Sequence, residues 1–129
     1  MPVKIAIVDD NLLIRTVVRS FIESHTDWEV CGEAADGEAA VALAECLKPD
    51  LFVLDLSMPA KDGLEAARDI AVICPKSGMV LFTAHASKQL EIEAERAGIG
   101  AVLAKDGNAS LVQLVAVLRE LNRRTRRAA

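Results

Sequence analysis

Leu51-Phe52-Val53-Leu54-Asp55 is the stretch on which the fold turns: an apolar run that ends abruptly in a carboxylate. Three other runs end in a polar residue in the same way. Val3-Lys4-Ile5-Ala6-Ile7-Val8 ends in Asp9-Asp10, Met79-Val80-Leu81-Phe82 in Thr83, and Ala101-Val102-Leu103-Ala104 in Lys105. If the four runs are neighbouring parallel strands, all four ends lie on one edge of one sheet. Open α/β sheets bind their ligands at that edge. Three carboxylates, a hydroxyl and an ammonium would converge there.

The segments between these runs carry the helical period. Leu12, Leu13, Val17, Phe21 and Ile22 recur at helical spacing up to about His25. Trp28-Glu29-Val30-Cys31-Gly32-Glu33 reads as a second strand, more alternating and therefore nearer an edge. Gly37 opens a helix bearing Ala40, Val41, Leu43, Ala44 and Leu47, closed by Pro49. After Asp55 comes the loop Ser57-Met58-Pro59-Ala60-Lys61, then a helix with Asp62 as N-cap and Glu65 three residues on, running to Pro75. A charged helix over 87–97 follows the Thr83 strand and stops at Gly98, a C′ glycine. The last helix carries the stripe Leu111, Leu114, Val115, Leu118, Leu121. Five strands alternating with five helices through short loops imply a parallel sheet with helices on both faces. The pattern leaves the strand order open.

Composition sets the outer bounds. With 129 residues the chain suits one domain, and its 52% hydrophobic content excludes disorder. No apolar run nears the roughly 20 residues of a membrane span, and the start of the chain reads as a strand, not a signal peptide. Cys31, Cys46 and Cys74 have no metal-ligand spacing and are read as reduced core thiols in a cytoplasmic protein. The net charge of −4 gives no general attraction to nucleic acid.

Asp9 and Asp10 at a helix start have a plain structural use, as caps favoured by the helix dipole. Asp55 changes the weighing. Two like charges 4 Å apart repel by about 4 kcal/mol at an effective dielectric of 20, so three clustered acids need a cation. Hard oxygen ligands select Mg²⁺ or a similar ion. The Lys105 ammonium can pair with a carboxylate at rest and with a phosphoryl oxygen after modification. Thr83 offers a short hydroxyl to the same oxygen.

In these residues the chain resembles the receiver domains of two-component response regulators. The matching segments are Ile7-Val8-Asp9-Asp10, Leu54-Asp55-Leu56-Ser57-Met58-Pro59 with Asp62-Gly63, Phe82-Thr83-Ala84, and Leu103-Ala104-Lys105, over residues 3–121. The stretch from Gly32 to Ala40 is similar to the branch whose receivers precede LuxR-type helix-turn-helix domains. The resemblance implies a doubly wound, flavodoxin-like fold with strand order 2-1-3-4-5. It implies Asp55 as phosphoacceptor, taking a phosphoryl group from a sensor histidine kinase, a phosphotransfer protein or a small phosphodonor. Asp10, with Asp9 through water, would hold Mg²⁺ together with Asp55 and the Ser57 backbone carbonyl. Lys105 and Thr83 would bind the phosphoryl group. Such a domain, spanning residues 1–122, catalyses only its own phosphorylation and dephosphorylation.

Two departures from the receiver pattern bear on switching. Where receivers often place Tyr or Phe directly before the Leu-x-Lys of the last strand, this chain has Val102, so an aromatic rotamer switch is unavailable. After the Lys, where Pro with a cis bond is common, stands Asp106; a non-proline cis bond costs about 3 kcal/mol. The output must then come from backbone or helix movement. His85 is expected as an exposed residue at the mouth of the site, His25 as a solvated helix end, and Trp28 and the three Phe as core or edge packing. The basic tail, residues 123–129, reads as a solvated helix end. Its alternatives are the start of a linker to a DNA-binding output domain beyond Ala129, or a contact for an acidic partner. Homodimerisation stays open.

Two other classes compete. An aspartyl-phosphate phosphatase of the haloacid dehalogenase type needs a second acid two residues after the nucleophile, where Ser57 stands. A flavodoxin-like cofactor binder needs a Ser/Thr/Gly-rich phosphate loop after the first strand, where this chain has Asp9-Asp10-Asn11-Leu12.

Overall fold

Each apolar run becomes a strand, and the helical stretches pack on both sides of the resulting sheet. The computed structural model describes residues 2–128. The strands are β1 (Lys4–Val8), β2 (Glu29–Ala34), β3 (Leu51–Leu54), β4 (Gly78–Thr83) and β5 (Ala101–Ala104). The helices are α1 (Leu12–His25), α2 (Gly37–Leu47), α3 (Gly63–Ile73), α4 (Lys88–Arg96) and α5 (Asn108–Ala128). All neighbours pair in parallel, in the order β2-β1-β3-β4-β5. The chain therefore starts in the sheet, steps out to the β2 edge, and returns to β3 on the other side of β1. The reversal point lies between β1 and β3, where doubly wound sheets open a crevice at their carboxyl ends.

Alternation along the strands divides the core in two. Ile5, Ile7, Leu51, Val53, Val80 and Phe82 face α1 and α5, and meet Val18, Ile22 and the stripe Leu111, Leu114, Val115, Leu118, Leu121. Ala6, Val8, Phe52, Leu54, Met79 and Leu81 face α2, α3 and α4. The small residues Ala40, Ala44, Ala66 and Ala67 are all fully buried there and let α2 and α3 lie close together.

Every helix following a strand begins at the carboxyl edge, and in α1 to α4 the first turn is capped by a side chain. Asn11 accepts from the amides of Leu13 and Ile14, Asp36 from Ala39, and Ser87 from Leu90. Asp62 and Glu65 form the reciprocal capping box expected of them. Gly98, at φ +92°, takes the left-handed turn after α4. Because Asn11 caps α1, neither Asp9 nor Asp10 is spent on that role.

The expectation of three core thiols needs correction. Cys74 is buried and its thiol donates to the Ala44 carbonyl at 3.6 Å, whereas Cys31 is half-buried and Cys46 exposed. Ala40 and Ala44 define the inner face of α2, and two residues beyond Ala44 is about 200° around the helix. Cys46 must face outward. Phe52 and Phe82 are core residues. Phe21 stacks on the exposed His25 with centroids 3.9 Å apart, and Trp28 lies 6.0 Å beneath the Arg119 guanidinium. Among the described residues all peptide bonds are trans, and no helix is long and apolar enough to cross a membrane. Exposed Arg123 and Arg124 extend α5 and pair with Glu120 at 2.8 and 3.4 Å. Ala129 and the side chains of Arg126 and Arg127, part of the basic tail, lie outside the described residues.

Candidate functional site

The carboxyl ends of β1 and β3 are adjacent because Val8 pairs with Leu54, and the next residue on each strand is an acid. The Asp55 amide donates to the Val8 carbonyl at 2.9 Å, which fixes the two ends in register. Asp9 is 3% exposed and Asp55 is 7% exposed, while Asp10 turns outward to solvent. One carboxylate oxygen from each of Asp9, Asp10 and Asp55 lies within 4.8 Å of the other two.

Lys105 reaches this cluster from the other side. Its backbone amide donates to the Thr83 carbonyl at 2.8 Å, continuing the β4–β5 ladder by one residue. From there its Nζ donates to Asp9 Oδ2 at 2.6 Å and to Asp55 Oδ1 at 3.0 Å. The other Asp9 oxygen, Oδ1, accepts from the Asn11 amide at 2.9 Å. Asp9 thus has both oxygens engaged. The Asp10 carboxylate and Asp55 Oδ2 have no hydrogen-bond partner among the described residues.

With three carboxylates facing one ammonium, the site is short of positive charge. Burial pushes the Asp55 carboxyl above its ordinary value; the Lys105 hydrogen bond pulls it back, and Asp9 and Asp10 push it further up. For Lys105 burial acts to lower the ammonium, but its hydrogen bonds to Asp9 and Asp55 outweigh burial and hold it above its usual value. Hard oxygen donors at this spacing suit a small divalent cation such as Mg²⁺.

Thr83 ends β4, buried, and its Oγ1 accepts from the His85 amide at 3.3 Å. That bond uses the oxygen as acceptor and leaves the hydroxyl proton available. His85 itself is exposed, as expected at the mouth of the site. Ser57 is exposed in the loop after β3. That loop is pinned behind Asp55: the Gly63 amide donates to the Leu56 carbonyl at 2.9 Å, and a Cβ on Gly63 would lie 2.2 Å from the Asp55 carbonyl oxygen. Only glycine lets the start of α3 approach so closely.

Three contributors were not read from the sequence. Asn11 is the α1 cap, which its type and place just before Leu12 could have signalled. Arg15 donates from Nη1 to the Asp9 carbonyl at 2.6 Å and from Nε to Glu33 at 3.0 Å. Nothing in the local sequence marks Arg15 and Glu33 as neighbours of the acids.

Comparison with known proteins agrees with this geometry. Residues 5–118 match the response regulator receiver domain. The uncharacterized transcriptional regulatory protein YxjL of Bacillus subtilis (strain 168) is 38% identical over 104 residues, which cover 81% of this chain and 48% of YxjL. The chain thus spans about half the length of that regulator. The signal receiver domain of the putative response regulator NarL from Mycobacterium tuberculosis superposes with a TM-score of 0.83 at 30% identity, covering 93% of this chain and 96% of that one. A CheY-like receiver domain protein from Methanospirillum hungatei JF-1 gives a TM-score of 0.91 over all of both chains at 22% identity, a likeness of fold.

Proposed function

From the premise that this chain belongs to the response regulator receiver family of two-component signalling, we propose that Asp55 is its phosphoacceptor. The unpartnered Asp55 Oδ2, beside an Oδ1 already held by Lys105, is the observation that carries the reading. Oδ2 attacks the phosphorus of a phosphohistidine on a sensor histidine kinase or phosphotransfer protein. An O–P bond forms and the N–P bond breaks; the electron pair leaves with the imidazole nitrogen, which takes up a proton.

The resting ion pair supplies what the product needs. As negative charge moves onto the phosphoryl oxygens, the Lys105 ammonium exchanges a carboxylate oxygen for a phosphoryl oxygen. The Thr83 hydroxyl donates its free proton to another. Asp10 and Asp55, with the Ser57 carbonyl and with Asp9 through water, would hold Mg²⁺. The bound ion neutralises charge on the transferring group. Asp9, with both oxygens engaged, suits the more distant place, and Asp10, unpaired and exposed, the direct one. The chain would catalyse only its own modification and its reversal. In the whole protein, the match to transcriptional regulators twice as long supports a DNA-binding output domain as the recipient of the signal.

Acetyl phosphate with Mg²⁺ tests the assignment. Intact-mass spectrometry should show one added phosphoryl group on the wild type and none on Asp55→Asn; labelling of the variant at the wild-type rate would sink it.

A further inference from the structure

We propose that Arg15, gripped by Glu33, is a positioning residue that sets the Asp9–Asp10 peptide for metal binding and hence for phosphorylation. The inference rests on the metal-site reading above and adds residues to it that do not touch the reacting atoms.

The Asp9 carbonyl belongs to no secondary structure. The last β1 carbonyl used by the sheet toward β3 is that of Val8, and the first carbonyl used by α1 is that of Asn11, which accepts from the Arg15 amide at 3.1 Å. Between them the Asp9–Asp10 peptide plane is free to rotate unless something holds it. The Arg15 guanidinium does so, donating from Nη1 to the Asp9 carbonyl at 2.6 Å. Rotating that plane swings the Asp10 side chain, which has no hydrogen bond of its own to fix it.

Arg15 is in turn locked. Its Nε donates to Glu33 Oε1 at 3.0 Å, and Arg19 takes the other oxygen, Oε2, at 2.5 Å. The planar guanidinium fork can serve a carboxylate and a carbonyl at once; a lysine ammonium has no such plane. The Arg15 and Glu33 side chains are only 15% and 24% exposed, so solvent competes weakly.

Glu33 reaches α1 because of a bulge. Ile5 pairs with Val30 but Ala6 pairs with Gly32, so the strand slips by one residue at Cys31. Val30 packs in the α1–α5 core and Ala34 in the opposite one, although an unbroken strand would point both the same way. The slip turns Glu33, opposite Ile7, toward α1.

Charge and position make opposite forecasts, which makes the inference testable. A cation beside a metal site repels the ion, so as a charge alone Arg15 would weaken Mg²⁺ binding and its loss would tighten it. As a positioning residue its loss loosens binding. Titrating the intact chain with MgCl₂ while following the Asp10 and Asn11 amides by NMR, Arg15→Gln should bind about tenfold more weakly, the low end for losing a partner that orients a metal ligand. Arg15→Lys, which keeps the charge without the fork, should fall too. Thermal unfolding of the same samples separates lost affinity from lost folding. Should Arg15→Gln not fold, Arg15→Lys carries the test, because charge alone forecasts unchanged binding there and lost positioning forecasts weaker binding. Unchanged or tighter Mg²⁺ binding in these folded variants overturns the inference. Asp10→Asn in parallel distinguishes the two readings: unchanged affinity there defeats the metal-site assignment itself, whereas weakened binding there with wild-type binding in Arg15→Gln defeats only the role of Arg15.

Discussion

Asp55 shows how a reactive residue is bought with stability. Burial and two neighbouring acids hold its carboxyl above the ordinary range despite Lys105. A raised folded value means that the fold favours the protonated group. The corresponding stabilisation is complete below the unfolded carboxylate range, near pH 4, and is lost as pH rises through the higher folded value. Asp55→Asn should therefore raise the melting temperature at pH 7, and the gain should close as pH falls below about 4. Lys105 keeps Asp9 as a partner in that variant, so no buried cation is orphaned. Calorimetry across pH 3–8 checks it; a variant less stable at pH 7 would mean that the Lys105 pair outweighs the burial. For Asp10, exposed and unpaired, Asp10→Asn should weaken Mg²⁺ and block phosphorylation while leaving the fold in place, read by metal titration and circular dichroism on one sample.

At the scale of elements, the approach of α3 to β3 sets the phosphoacceptor loop. Alanine is about 1 kcal/mol better than glycine inside a helix. Gly63→Ala should nonetheless destabilise, because its Cβ would sit 2.2 Å from the Asp55 carbonyl oxygen. It should also slow labelling of Asp55, since relief requires α3 or Asp55 to shift. The capping box beside it has a simpler outcome: Asp62→Ala should cost about 1 kcal/mol, near 4 °C in melting temperature, with labelling little changed. The β4–β5 pair carries the proposed output. The Thr83 carbonyl accepts the Lys105 amide, so a shift of Thr83 on phosphorylation would be expected to reach the β5 end. Val102, half-buried on β5 against the α2–α4 side of the core, offers no aromatic ring to relay it. Beryllofluoride should spread amide shifts from Thr83 and Ala84 into α4 and β5. Thr83→Ala should confine them near Asp55 while still allowing labelling, because the hydroxyl binds the product and does not attack.

Across the whole molecule the sequence determined a good deal by itself. Four apolar runs ending in Asp9-Asp10, Asp55, Thr83 and Lys105 specify strands, because a run of apolar residues too short for a helix must find neighbours on both faces. Short loops and intervening helical stripes make those strands parallel, and parallel strands share an edge, so the acids and Lys105 lie on one edge; that they meet there rests on the order β2-β1-β3-β4-β5, which the pattern left open. The cap Asp62 and the stop at Gly98 are local, and local chemistry is legible; Ser87, read as the first residue of α4, is its cap. The outward turn of Cys46, the unpartnered Asp10 against the saturated Asp9, and the grip of Glu33 on Arg15 were decided only in three dimensions. Each depends on where one element faces another, and in β2 on a one-residue slip at Cys31 that reverses which side Glu33 points to. A strand has a period of two, so a single added residue exchanges inside for outside, and no hydrophobic pattern over six residues announces it.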